Sequence, residues 1–101
     1  MFDLNLPKYE AKIIRRNEKH YIWDCLRRRY IALTPEEWVR QHFVHYLIEY
    51  KSYPAALLAN EVSLRLHGMS RRCDTVLYDR EVRPRMIIEY KAPHIPVTQQ
   101  V

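Results

Sequence analysis

The spacing of the apolar residues changes once along this chain, at Pro54, and that change sets the fold class. Before it, Thr34-Pro35-Glu36-Glu37 combines an N-cap hydroxyl, a proline at the first helical position and a glutamate three residues after the cap. Val39, Phe43, Tyr46, Leu47 and Tyr50 then recur at helical spacing to about Lys51, and Ser52-Tyr53-Pro54 stops the helix. After Pro54 the period is two: Val62, Leu64 and Leu66 alternate with Ser63, Arg65 and His67 until Gly68 breaks the run. Asp74 to Tyr78 forms a second run, Asp79 to Pro84 a polar turn, and Met86 to Lys91 a third run, with Pro93 and Pro96 closing the region. Ahead of the helix, Lys12 to Arg16 has the length of a short strand. His20 to Cys25 and Arg28 to Leu33 are rich in Tyr, Ile and Trp and form a hairpin turning near Asp24–Arg27. The expectation is an α+β domain: an N-terminal β-hairpin, one long helix, then a three-stranded, mainly antiparallel meander. Residues 1–10 form a loosely held lead-in to a single domain over 11–101.

A chain of 101 residues has room for one modest core. With 48% hydrophobic residues and one glycine it is a folded chain, not a disordered one. Lys and Arg number 17 against 12 Asp and Glu, and the excess sits before residue 34, with eight basic residues to four acidic. A basic surface suits a polyanion such as nucleic acid. The start, MFDLNLPKYE, has no charged end followed by an apolar run, and no stretch is long enough to span a bilayer. Cys25 and Cys73 make no CxxC and have no histidine at ligand spacing, so both read as reduced core thiols. A cytoplasmic, membrane-free protein is expected. His42 and His45 lie three apart on the helix, but no further zinc ligands stand at definite spacing, so both are expected on the solvent side.

The chemistry-bearing residues sit at strand ends. Glu89 and Lys91 are two apart, so a strand points both to one face. Asp74 opens the preceding run, and in an antiparallel pair the start of one strand lies beside the end of the next. Two carboxylates and an ammonium brought together there suit a hard divalent cation, Mg²⁺ or Mn²⁺, which takes oxygen ligands, waters and a substrate phosphate.

Asp74, fourteen residues, then Glu89-Tyr90-Lys91 resembles the D…(D/E)xK signature of the PD-(D/E)XK nucleases. Thr34-Pro35-Glu36-Glu37-Trp38-Val39-Arg40-Gln41 together with Ile87-Ile88-Glu89-Tyr90-Lys91-Ala92-Pro93 resembles the N-terminal nuclease domain of type I restriction enzyme R subunits, over roughly residues 10–101. The resemblance implies a restriction-endonuclease-like core and Mg-dependent hydrolysis of DNA phosphodiesters. It implies Asp74, Glu89 and the Tyr90 backbone carbonyl as metal ligands and Lys91 as the catalytic lysine. Glu37, or alternatively Glu36, would be an outer metal or water contact. Arg71 and Arg72, with Arg27 and Arg28, would meet phosphates if DNA enters along that edge. Motor and specificity or methylation subunits would be the partners. The departures from the pattern are Cys73 where the superfamily has its proline, an expected core that stops where Thr98-Gln99-Gln100 would begin its next helix, and no GxxxxGK[ST] loop for an ATP-driven motor. The alternative is a catalytically inactive DNA-binding or assembly module of the same fold, with a homodimer paired through the sheet edge left open.

Overall fold

Thr34 takes an extended backbone (φ −113°, ψ 165°) and its hydroxyl accepts the Glu37 amide at 3.1 Å, so helix α1 begins at Pro35 and runs to Glu49. It is the spine of a computed structural model that describes residues 1–91. The expected stops at Pro93 and Pro96 and the helix start at Thr98 lie outside the described residues. Before α1 come β1 (Ile13–Arg16), β2 (Lys19–Asp24) and β3 (Arg29–Ala32); after it, a short 3-10 turn (Ala55–Leu57) leads into β4 (Leu58–Leu66), β5 (Met69–Tyr78) and β6 (Pro84–Ile88). The strands form two antiparallel three-stranded sheets, β1-β2-β3 and β4-β5-β6.

The α+β order matches the expectation, and the differences lie in strand extent. The short Lys12–Arg16 strand is real as β1 and pairs with β2, so the first sheet has three strands where a hairpin was expected. Its connection is Asn17-Glu18, both left-handed (φ 50° and 63°), a conformation most side chains resist and Asn tolerates. Strand β5 starts at Met69, ahead of its expected run, because His67-Gly68, also left-handed (φ 51° and 77°), joins it to β4 as a two-residue hairpin, and β4 itself begins earlier, at Leu58. Strand β6 starts at Pro84, two residues early, and ends at Ile88, ahead of Glu89.

The core lies between α1 and the second sheet. Leu47 of α1, Leu58 of β4 and Leu77 of β5 are buried together, with Phe43, Tyr46, Ile48, Met86 and Ile88 packed against them. Leu58 faces Leu77 and Leu77 faces Met86 across the ladders, so one row of side chains meets the helix. Each such leucine contributes about 1.5–3 kcal/mol of transfer free energy.

Three expectations are corrected. His42 is buried, at 5% exposure, where a solvent-side histidine was expected. The lead-in has no helix or strand, yet it docks on α1: Trp38 Nε1 donates to the Phe2 carbonyl at 2.7 Å, and Tyr9 lies edge-on to His42 and stacked on His45. Cys25 is exposed, while Cys73 is buried as expected. The period of β2 explains this, because Ile22 and Asp24 take the inward positions (both 0% exposed) and leave Trp23 and Cys25 outward. Among the described residues no helix is long and apolar enough to cross a membrane.

Candidate functional site

The β5–β6 register has Thr75–Ile88 as its last pair, with Asp74 and Glu89 the next residues along the two chains. The ladder ends there because the Tyr90 N–H donates to Asp74 Oδ2 at 2.9 Å. That bond holds the aspartate beside the backbone that carries Glu89 and Lys91. Glu89 Oε1 accepts from Arg71 Nη2 at 2.9 Å, in a pair whose side chains are 47% and 28% exposed. Lys91 is exposed at the same end. Of the four basic residues expected along the DNA edge, Arg28, Arg71 and Arg72 are exposed. Arg27 is not: its guanidinium is 16% exposed and bound to Asp24 and Glu37.

Both oxygens of Glu37 are engaged. Oε1 accepts from Arg27 Nη2 at 2.8 Å and Oε2 from Gln41 Nε2 at 3.1 Å, with Arg40 Nε 3.2 Å from Oε1. The helix carboxylate expected as an outer metal contact is therefore a clamp for two guanidiniums, and Glu36 is exposed in the first turn. Among the described residues no group of three or more His, Cys, Asp or Glu side chains gathers closely enough to hold a metal ion.

A chain of alternating charge, not expected from the sequence, runs from the β2–β3 turn through α1 to β4 and β5. Asp24 binds Arg27, Arg27 binds Glu37, Glu37 adjoins Arg40, and Arg40 and Arg72 share Glu61 at 2.7 and 3.0 Å. Burial alone would push the Asp24 carboxyl up. Bonds from the Arg27 amide, the Asn60 amide group and the Arg27 guanidinium outweigh it and hold Asp24 below the usual carboxylate range. Glu61 is likewise lowered, its burial outweighed by Arg40 and then Arg72.

A neutral chain of hydrogen bonds joins the first sheet to the carboxylate end of the second. Tyr90 Oη donates to Thr75 Oγ1 (2.9 Å), Thr75 to Asn60 Oδ1 (2.7 Å), and Asn60 Nδ2 to Asp24 Oδ2 (2.9 Å). Every donor meets an acceptor, so the chain is consistent in direction as well as distance. Burial, the largest influence on the Tyr90 phenol, keeps it protonated far above its ordinary range. The inward positions of three strands carried the signal: Asp24 follows Ile22, Asn60 follows Leu58, and Thr75 lies between Cys73 and Leu77, each two residues on.

Comparison with known proteins adds one finding. The family model described as "Type I restriction enzyme R protein N terminus (HSDR_N)" matches residues 35–101, from the first residue of α1 through the Glu89-Tyr90-Lys91 segment. No curated protein and no solved structure matches the chain. On the family model, which covers most of its length, the chain belongs to the family of type I restriction enzyme R protein N termini.

Proposed function

We propose that this domain is a Mg²⁺- or Mn²⁺-dependent DNA nuclease of a type I restriction system, with Asp74, Glu89 and Lys91 as its working residues. The observation that carries the reading is Asp74 Oδ2 accepting the Tyr90 amide at 2.9 Å, which holds the aspartate against the Glu89-Tyr90-Lys91 segment. The donor chemistry fits a hard cation: two carboxylates and the Tyr90 carbonyl are all oxygen, and Mg²⁺ is usually held by one or two carboxylates plus waters and phosphate. The Arg71 pair on Glu89 is exposed, so exchanging it for a cation costs little. When bound, such an ion supplies charge stabilisation at the phosphoryl group and acidifies a water.

In this reading the chain's own residues do the rest. Asp74 and Glu89 present oxygens to the ion, and the Tyr90 amide keeps Asp74 from rotating away. Lys91 offers Nζ to the attacking water or the scissile phosphate. Arg28, Arg71 and Arg72 contact the DNA backbone, which makes binding weaken steeply with salt. Glu37 serves through the guanidiniums it holds. Motor and specificity or methylation subunits complete the system. The test is nicking of supercoiled plasmid in Mg²⁺. Lys91→Ala and Asp74→Asn, folded by circular dichroism, are expected to lose at least about a hundredfold in rate; either variant cutting like the wild type sinks the assignment.

The Arg71–Glu89 pair and the engagement of Glu37 favour a second reading, a DNA-binding or assembly module that does not cut. Salt-sensitive binding with no nicking in either metal is its signature.

A further inference from the structure

Arg40 is the place where α1, β4, β5 and the Tyr90 segment meet. Its side chain is 8% exposed. Nη1 donates to the Asp74 carbonyl, Nη2 donates to Glu61 Oε2 at 2.7 Å, and the guanidinium carbon lies 5.6 Å from the centroid of the Tyr90 ring. Nε faces Glu37 Oε1 at 3.2 Å without hydrogen-bond alignment, and it is the one buried side-chain nitrogen or oxygen among the described residues that lacks a partner. A charged fork is thus held by two carboxylates and a ring, with one arm spent on the backbone of the proposed metal-binding aspartate.

The strand opposite is distorted at the matching position. Asn60 pairs with Thr75 and Val62 with Cys73, but the Glu61–Asp74 step between them is unpaired. Glu61 has φ 57°, in the left-handed region, inside a strand and without being glycine, Asn or Asp. Such strain persists where surrounding contacts over-determine it. Here the contacts are the two guanidiniums on the Glu61 carboxylate, Arg40 and Arg72.

We propose that Arg40 is the positioning residue of the carboxylate site, its forked guanidinium fixing the Asp74 backbone and the Tyr90 ring so that Asp74 is held ready for a divalent cation that Glu89 joins on leaving Arg71. The inference rests on the metal-site reading above. It names the residue that shapes the site and touches neither ion nor DNA. A lysine would keep the charge but lacks the planar fork that reaches the Asp74 carbonyl and Glu61 together.

The experiment is direct Mn²⁺ binding to the 101-residue chain, followed by loss of the free-ion electron paramagnetic resonance signal, with no DNA present. The wild type is expected to bind and Asp74→Asn to lose binding. Arg40→Lys is expected to fold, with a circular dichroism spectrum like the wild type, and to bind Mn²⁺ about tenfold more weakly or worse, as supporting contacts to metal ligands do. In plasmid nicking the same variant should need more Mg²⁺ for half-activation while keeping most of its rate at saturating metal, a split that general destabilisation does not produce. A folded Arg40→Lys with wild-type Mn²⁺ affinity overturns the assignment and leaves the metal site standing. A wild type that binds no Mn²⁺, or an Asp74→Asn that binds normally, refutes the metal site, and Arg40 falls with it. Should Arg40→Lys not fold, Glu61→Ala decides: weakened Mn²⁺ binding supports the proposal, and unchanged affinity overturns it.

Discussion

Asp24 has no exposed surface and accepts from the amides of Leu26 and Arg27, from the Arg27 guanidinium at 2.6 Å and from Asn60 at 2.9 Å. It closes the β2–β3 turn and anchors both the charged and the neutral chains. Removing its charge leaves Arg27, at 16% exposure, with Glu37 as its remaining carboxylate. Asp24→Asn is therefore expected to cost about 3 kcal/mol, the low end for breaking a buried pair, measured as a shift of the urea midpoint at neutral pH. An unchanged midpoint would show that the turn, and not the charge, holds the two sheets together. At this scale the sequence was least legible. Asp24 and Arg27 looked like turn and surface residues, and only the inward position of Asp24 at the end of β2 hinted otherwise.

Helix α1 depends on its first turn. The Thr34 hydroxyl accepts the Glu37 amide, but the Glu37 side chain does not return to the cap; it turns to Arg27 and Gln41. The capping box is half built, and its second half is spent on tertiary contacts. Thr34→Ala should lower stability by about 1 kcal/mol, read as a thermal shift of several degrees for a domain of this size. A neutral outcome would mean that packing at Leu47 and Val44 outweighs the cap. The cap, proline and spacing made this helix readable in sequence. The strands were readable where one face was apolar, as in Val62–Leu66, and were cut short where polar residues broke the pattern, as at the inward Asn60 of β4 and the exposed Ser70–Arg72 of β5.

For the whole molecule the charged chain has a consequence for pH. Asp24 and Glu61 are both held below their ordinary values of 3.8 and 4.5. The unfolded chain therefore binds protons that the folded one does not, and stability falls as pH drops. Their contribution is fully present above those ordinary values and is lost as pH falls through the lower folded ones. Urea unfolding is expected to show a stability plateau from neutrality to about pH 5 and a decline below it, with a shallower decline in Asp24→Asn. A variant curve parallel to the wild type would remove Asp24 from the acid response.

The apolar periods, the capped Thr34-Pro35 start and the Gly68 break determined by themselves the α+β order, the helix and the antiparallel succession of the last three strands, because these follow from local geometry repeated every two or 3.6 residues. What the tertiary structure alone decided was which charges meet. Arg27, Arg40 and Glu61 lie far apart in the chain, and nothing in their local sequence separates a solvated side chain from a buried one. Bringing the first sheet, α1 and β4 together excludes water around them, and only then does each guanidinium need the carboxylate that faces it.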